Sequence, residues 1–250
     1  MYGRKPVWAF RMIRGIVRLV YPKIETVGED ALPDEAVVFV GNHCQMHGPI
    51  VGELYMPRKS CTWCAGQMMA LREVPAYAYQ DFWSKKPRAV RWIYRIASYL
   101  IAPLCVLIFN NAATIPVYRD NRIITTFRTT VRALSEGTSV VIFPEHELAH
   151  NRIVYDFQDR FIDLGRIYHK RTGKALTFVP MYLAPRLRKL FFGEPVAFDP
   201  EAPIAAERER IKQALMARIT EIAEAQPLHT VIPYPNLPKR SYPTNREASQ

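Results

Sequence analysis

Two apolar segments that each end at titratable residues constrain the fold of this chain most strongly. Residues 36–43 read AVVFVGNH, and residues 140–145 read VVIFPE, so the two segments end at His43 and Glu145. Buried strands that stop abruptly at polar residues are typical of α/β proteins, which place their chemistry at the carboxyl ends of parallel strands. The sequence therefore predicts one site built from both strand ends and favours an enzyme or the descendant of one.

The rest of the chain alternates between strand and helix patterns. Predicted strands cover residues 36–41, 61–65, 113–118, 139–143, 176–182 and 190–197, and predicted helices cover residues 45–56, 86–102, 123–135, 158–171 and 203–225. Strands separated by helices indicate a mostly parallel central sheet flanked by helices. We therefore predict an α/β fold of this kind, preceded by an N-terminal, membrane-facing amphipathic helix.

Three parts are expected along the 250 residues. Residues 1–26 are predicted to form a basic amphipathic helix at a membrane interface, and residues 27–226 to form the α/β domain. Residues 227–250 hold several prolines among polar residues, a composition typical of an extended, poorly ordered tail.

The formal net charge of +11 is concentrated in two blocks. At helical spacing Arg4, Arg11, Arg14 and Arg18 form one stripe, and bulky apolar residues fill much of the remaining surface. A basic helix with a broad apolar face is typical of a segment that lies in a membrane interface, although a helix packed on the core remains an alternative. We expect an anionic membrane surface as a partner and no nucleic acid, because no groove-reading motif is visible.

The second basic block, which includes Lys85, leads into residues 92–109, an apolar stretch in which Arg95 carries the only charge. Its length approaches that of a membrane span, but Pro103 argues against a simple crossing. A helix that lies on the membrane or is buried in the protein fits equally well. Because the N-terminus also lacks the pattern of a secretory signal, we expect a peripheral or monotopic protein on the cytoplasmic face of a membrane.

Four short motifs resemble those of the glycerolphosphate and lysophospholipid acyltransferases, in particular the 1-acylglycerol-3-phosphate acyltransferases. Residues 42–43 (NH) resemble the start of the first motif, in which His and Asp have an H-x4-D spacing. Residues 114–119 (TIPVYR) resemble the second motif, residues 143–145 (FPE) the third, and residues 178–182 (FVPMY) the fourth. The resemblance implies transfer of a fatty acyl group from acyl-CoA or an acyl carrier protein to a lysophospholipid or acylglycerol phosphate hydroxyl.

The same resemblance implies a role for each matched residue. A neutral imidazole suits the task of removing a hydroxyl proton near pH 7, so His43 is the predicted general base. Glu145 would position the acceptor, and the forked guanidinium of Arg119 suits a lipid phosphate. Asn42, Phe143 and Pro144 complete the predicted substrate-binding set. The donor thioester is a substrate, and we expect no separate cofactor.

Two departures from the family pattern bear on activity. The position of the motif aspartate is occupied by Gly48, and the third motif continues as His-Glu-Leu instead of Gly-Thr-Arg. Phosphate binding would then depend on Arg119, assisted by Arg152. In serine proteases, loss of the carboxylate that orients the catalytic histidine costs about 10⁴ in rate. Either Glu145 or Glu147 replaces the missing acid, or the protein is a non-catalytic lipid-binding relative.

Four of the six histidines lie in two pairs with i, i+4 spacing, His43 with His47 and His146 with His150. Residues 146–150 read HELAH, which matches the H-E-x-x-H signature of zinc proteases. A zinc protease also needs a long active-site helix and a third ligand downstream, so we do not favour that reading. The remaining alternative is a zinc or iron ion held by the four histidines with Glu145 or Glu147, which would replace the missing aspartate electrostatically and act as a Lewis acid.

Overall fold

The computed structural model describes residues 2–3, 5–84 and 86–248, so that Arg4 and Lys85 of the basic blocks lie outside the described residues. The chain forms two compact units. The first contains residues 1–21 and 61–129, and the second contains residues 22–60 and 130–250. These units do not coincide with the three parts predicted from the sequence, because residues 61–129 of the predicted α/β domain group with the N-terminal helix.

The strands are β1 (Glu25–Val27), β2 (Val38–Gly41), β3 (Ser60–Ala65), β4 (Thr114–Val117), β5 (Ser139–Ile142), β6 (Glu145–Ala149), β7 (Tyr155–Phe157), β8 (Thr177–Ala184), β9 (Lys189–Phe192) and β10 (Val196–Ala197). The helices are α1 (Trp8–Val20), α2 (His47–Leu54), α3 (Val74–Ala78), α4 (Arg91–Asn111), α5 (Ile123–Ser135), α6 (Asp163–Thr172) and α7 (Ile204–Glu224). All six strands predicted from the apolar runs are present, with the last of them divided into β9 and β10.

The main sheet of the second unit has the strand order β1-β9-β8-β2-β5. The central strand β2 is parallel to both of its neighbours, β5 and β8, whereas β9 and β10 pair with β8 in antiparallel orientation. All four residues of β2 and of β5 are buried, as their continuous apolar runs predict. The predicted α/β fold with a mostly parallel central sheet is confirmed.

Helix α7 covers part of this sheet. It begins directly after Pro203, a residue type that favours the start of a helix, and it packs against β8. Ile211, Leu215 and Ile219 recur at a spacing of four residues and are fully buried. That spacing keeps one face of the helix on the core, and the helix predicted over residues 203–225 is confirmed.

The first unit contains the parallel pair β3 and β4 together with the helices α1, α3 and α4. The backbone N–H of Val7, at the start of α1, donates a 3.0 Å hydrogen bond to the side-chain oxygen of Asn111 at the end of α4. Phe10 is the buried residue of α1, whereas Trp8 and Leu19 are largely exposed. Ile13 and Val17, three and seven residues after Phe10, are half-buried, so one narrow stripe of α1 packs on the protein while most of its large apolar side chains stay exposed.

Helix α4 differs from its prediction, since it begins at Arg91 and continues through Pro103 to Asn111. Among the described residues, the stretch Arg88–Asn111 is long and apolar enough to cross a membrane, judged by length and composition. Little of it is buried within the protein, and Trp92, Tyr99 and Leu100 are among its exposed side chains. Burial in the protein is therefore not the explanation for its apolar composition.

Residues 145–157 form an antiparallel hairpin of β6 and β7 that the sequence patterns did not predict. On a helix, the i, i+4 spacing of His146 and His150 would place both rings on one face. Here His146 lies on strand β6 and His150 follows it, so these residues do not form the helix that a zinc protease needs. In this hairpin, Glu145 pairs with Phe157 and Ala149 pairs with Tyr155.

The C-terminal segment, residues 227–248, also differs from its prediction. It contains little regular secondary structure, as its prolines suggest, yet Val231, Asn245 and Ala248 are fully buried. The side chain of Asn245 donates to the carbonyl of Ala223 at 2.9 Å and accepts from the N–H of His229 at 3.1 Å. The segment is therefore packed and hydrogen-bonded rather than poorly ordered.

Candidate active site

The ends of β2 and β5 meet at the carboxyl edge of the main sheet. Val40 lies opposite Ile142 in the parallel register, and the same register places His43 opposite Glu145. The backbone N–H of His43 donates to one carboxylate oxygen of Glu145, and the backbone N–H of Tyr155 donates to the other at 2.9 Å. The two sequence-predicted residues are thus brought together, but through the backbone of His43 rather than through its ring.

Glu145 is almost completely buried, and burial raises its pKa from the ordinary 4.5 to about 7. The two backbone hydrogen bonds favour the ionised form and partly oppose this shift. Since both oxygens are occupied by amides, Glu145 holds the chain that carries His43. In this geometry Glu145 contacts the backbone of His43 and not its ring, and its predicted role of positioning the acceptor stays a prediction.

The imidazole of His43 lies between two aromatic rings. Phe143 contacts it edge-on with a centroid distance of 5.3 Å, and Tyr234 does so at 5.5 Å. The Nδ1 atom of His43 is buried and has no hydrogen-bond partner among the described residues. Burial lowers the pKa of His43 to about 4, with the backbone of Gln45 working in the opposite direction. The imidazole is therefore neutral at pH 7 and can accept a proton.

The loop after β2 explains why the motif aspartate is absent. Cys44 and Gln45 both adopt positive φ angles, and the N–H of Gly48 donates a 3.0 Å hydrogen bond back to the carbonyl oxygen of His43. A Cβ atom at position 48 would lie 2.4 Å from that oxygen and 3.0 Å from the ring of Phe143. The tight loop thus has no room for any side chain at the position where the family carries its acid.

Asn42 fixes β2 to β8 and is buried. Its side-chain oxygen accepts from the N–H of Leu183 at 2.8 Å, and its amide nitrogen donates to the carbonyl of Leu183 at 3.0 Å. The same nitrogen lies 2.9 Å from the sulfur of Cys44. This amide is occupied by the protein itself and holds the end of β2 to β8, and the predicted substrate-binding role of Asn42 stays a prediction.

The remaining predicted residues are distributed over both units. Phe143 lines the imidazole, whereas Pro144 is buried and its carbonyl accepts from the N–H of Gln158 at 3.0 Å. Arg152 is exposed in the turn between β6 and β7, with a φ of 60°. Arg119 is exposed in the first unit, directly after β4. The proposed phosphate-binding roles of these two arginines stay predictions.

The four histidines do not form a metal centre. Among the described residues, no group of three or more His, Cys, Asp or Glu side chains could hold a metal ion. His146 instead lies 2.8 Å from Asp156, which also pairs with Lys212, and its other ring nitrogen accepts from the N–H of Leu148. His150 is exposed. The donor set required by the metal-dependent alternative is therefore not assembled.

Sequence analysis missed the contribution of the C-terminal segment to this site. Tyr234 contacts both His43 and Tyr155, and the side-chain amide of Gln45 donates to the carbonyl of Pro235 at 3.2 Å. The high proline content of the segment indicated an extended tail, although it also contains the adjacent apolar residues Val231 and Ile232, both of which are buried. That apolar pair was the available signal that the segment packs against the protein.

The raised pKa of Glu145 predicts a specific pH dependence of stability. Between pH 4.5 and 7 the folded state binds a proton at Glu145 that the unfolded state has lost, so this group makes stability fall as pH rises. From pH 5 to 7, the free energy of unfolding of Glu145→Gln should therefore rise by about 2 kcal/mol relative to wild type. Urea unfolding at a series of pH values measures this difference.

Glu147→Gln is the matched control, because Glu147 is exposed on the same strand. A pH-dependent gain in stability that appears in Glu145→Gln and not in this control is then specific to Glu145. Parallel stability curves for wild type and Glu145→Gln would contradict the raised pKa of Glu145.

Comparisons with known proteins give a structural similarity but no match at the sequence level. No protein-family model and no curated protein matches the chain. Among solved structures, the chain is similar to the 1-acyl-sn-glycerophosphate (LPA) acyltransferase PlsC from Thermotoga maritima, with a TM-score of 0.47 and 15% sequence identity. The similarity covers 87% of this chain and 80% of that chain. The function therefore has to be argued from the residues of the site themselves.

Proposed function

We propose that this protein transfers a fatty acyl group from a thioester donor, acyl-CoA or an acyl carrier protein, to the hydroxyl of a lysophospholipid or acylglycerol phosphate. The observation that carries this proposal is the neutral imidazole of His43, held at the carboxyl edge of the sheet by Glu145. Both residues belong to short motifs that resemble those of the glycerolphosphate acyltransferases. Proximity of the two motifs in the fold supports reading them as one site.

In the proposed reaction His43 accepts the proton of the acceptor hydroxyl as its oxygen attacks the thioester carbonyl. The carbon–sulfur bond then breaks, the acyl ester forms, and the proton on His43 passes to the departing thiolate. Among the described residues, the structure shows no carboxylate contact to the ring of His43 for the positive charge that develops there, since Gly48 offers none and Glu145 hydrogen-bonds its backbone. We therefore expect turnover to be slow, by analogy with the loss of about 10⁴ when a catalytic histidine lacks its carboxylate.

A lipid acceptor agrees with the composition of the first unit. Helices α1 and α4 expose large apolar side chains, among them Trp8, Leu19, Tyr99 and Leu100. The basic residues Arg11 and Arg18 of α1 are also exposed, as expected for a helix that contacts an anionic membrane surface. We propose a peripheral or monotopic association with the cytoplasmic face of a membrane, with Arg119 and Arg152 as candidates for binding the acceptor phosphate.

The proposal predicts transfer of a labelled acyl group from acyl-CoA or acyl carrier protein to at least one member of a panel of lysophospholipids. Chromatography of the lipid products, with the free thiol measured in parallel, would detect transfer and separate it from simple hydrolysis of the thioester. Addition of a chelator should not change the rate. If no acceptor is acylated while the folded protein still binds lipid vesicles, the acyl-transfer proposal is wrong.

The second candidate function is that of a non-catalytic lipid-binding relative. The observation that favours it is the absence of any carboxylate at the ring of His43, together with the tight packing of Gly48. This candidate predicts binding of lysophospholipid to the protein without release of thiol from either donor. The acylation assay therefore separates the two functions directly.

A further inference from the structure

Within the C-terminal segment, residues 231–243 form a loop whose two ends are hydrogen-bonded to each other. Thr230 and Thr244 form an antiparallel bridge, and the N–H of Val231 donates to the carbonyl of Pro243 at 2.8 Å. Nearby, the ring of His229 hydrogen-bonds the hydroxyl of the buried Tyr182 at 2.8 Å. These contacts fix both ends of residues 231–243 to the second unit.

The same loop is also hydrogen-bonded to the candidate active site. Gln45, two residues after His43, donates from its side-chain amide to the carbonyl of Pro235 at 3.2 Å and lies 3.1 Å from the hydroxyl of Tyr242. Gln45 adopts a φ of 54°, so its backbone conformation is uncommon for a residue other than glycine. The turn that carries His43 and the C-terminal loop are thus joined directly to each other.

Tyr234 lies between Val231 and Pro235, which are both held by hydrogen bonds, and its ring contacts the imidazole of His43. Its ring meets that of His43 at a centroid distance of 5.5 Å and an interplanar angle of 81°. Phe143 contacts the same imidazole at 5.3 Å and 68°, and Tyr155 supports Tyr234 at 6.5 Å. Two aromatic rings from distant parts of the sequence therefore enclose the imidazole, and their edge-on geometry is one that aromatic pairs favour.

We propose that Tyr234 is a positioning residue that orients the imidazole of His43, a task for which the loop after β2 has no room to supply a carboxylate. This inference rests on the proposed function, in which His43 is the general base. Contact with Tyr234 restricts rotation of the ring and excludes water from its buried edge. Tyr234 thereby forms part of the active site, and the hydrogen bonds of its loop hold it there.

The matched test uses the variants Tyr234→Ala, Tyr234→Leu and Tyr234→Phe, with Leu237→Ala as the control. Leu237 lies in the same loop, is 41% exposed and makes no ring contact with His43 among the described residues, so its truncation should leave activity and His43 unchanged. Phenylalanine retains the ring that contacts His43, whereas leucine fills space without an aromatic edge. Leucine also keeps the test valid if the alanine variant fails to fold.

Two readouts are required, and the first does not depend on acyl transfer. NMR titration of the histidine side chains, with the His43 signal assigned from His43→Gln, should show wild type and Tyr234→Phe titrating near pH 4. In Tyr234→Leu and Tyr234→Ala the midpoint should move up towards the ordinary value of 6.5 as water reaches the ring. An unchanged midpoint in both variants would overturn the proposal.

The second readout is steady-state kinetics with the acceptor identified in the lysophospholipid panel. We expect kcat to fall by up to about 100-fold in Tyr234→Leu and Tyr234→Ala, the loss that misplacement of a catalytic group by about 1 Å can cause. The KM for the acceptor and the activity of Tyr234→Phe should remain close to wild type. A fall in thermal stability with unchanged kcat would show a purely structural role. If wild type is inactive but the midpoint still shifts, the acyl-transfer proposal fails while the contact between Tyr234 and His43 stands.

Discussion

Replacing His43 with glutamine is expected to reduce acyl transfer by about 10³-fold, within the range that general acid–base catalysis contributes. Glutamine fills part of the space between Phe143 and Tyr234 and leaves the backbone hydrogen bond to Glu145 in place. It cannot accept the hydroxyl proton, because an amide is far less basic than an imidazole. The loss should therefore appear in kcat, measured as the rate of labelled lipid formation, without a matching change in the free energy of unfolding.

The control for this experiment is His150→Gln, which makes the same change at an exposed position of the same unit. Its activity should equal that of wild type. Loss of activity in His150→Gln would favour the metal-dependent alternative, in which both histidines serve as ligands. Retention of activity in His43→Gln would contradict the assignment of His43 as general base.

The pH profile provides an independent check on the same residue. Only the neutral imidazole can accept a proton, so activity should fall as pH decreases through the pKa of His43. Since burial lowers that pKa to about 4, the acidic limb of kcat/KM should lie near pH 4 rather than near the ordinary 6.5. A limb near 6.5 would show that the imidazole is solvated in the active enzyme.

Two features could be predicted from the sequence because both depend on local patterns: the central sheet, and the approach of the residues that follow β2 and β5. The continuous apolar runs of β2 and β5 indicate strands buried on both faces, and the helix α7 follows from a four-residue apolar spacing. Polar residues directly after such strands then mark the sheet edge. The proximity of His43 and Glu145 could be predicted for this reason.

The individual contacts that define the site could not be predicted from the sequence, because they join residues that are far apart in the chain. Nothing local indicates that Glu145 hydrogen-bonds the backbone of His43 instead of its ring, or that Tyr234 contacts the imidazole. The strand β6 was not predicted, because the polar residues 145–147 show no apolar strand pattern and the strand pairs with β7 about ten residues further along the chain. The proline-rich C-terminal segment has no periodicity, and buried groups such as Asn245 fix it in place.

Introducing an aspartate with Gly48→Asp is expected to lower the free energy of unfolding by about 3 kcal/mol and to reduce activity. The family pattern alone suggests the opposite, that an acid at this position would orient His43 and raise the rate. The structure decides between these outcomes, because a Cβ at position 48 would lie 2.4 Å from the backbone oxygen of His43. That oxygen belongs to the main chain and can move only if the loop carrying His43 moves with it.

Gly48→Ala separates the effect of volume from that of charge, because it adds the same Cβ without a carboxylate. Both variants should be destabilised to a similar extent in urea unfolding, and both should lose activity as the hydrogen bond from Gly48 to His43 is strained. A stable and more active Gly48→Asp would show that the loop can adopt the family conformation. If both variants are impaired together, the loop has become incompatible with a motif aspartate, and the imidazole must depend on its aromatic neighbours for orientation.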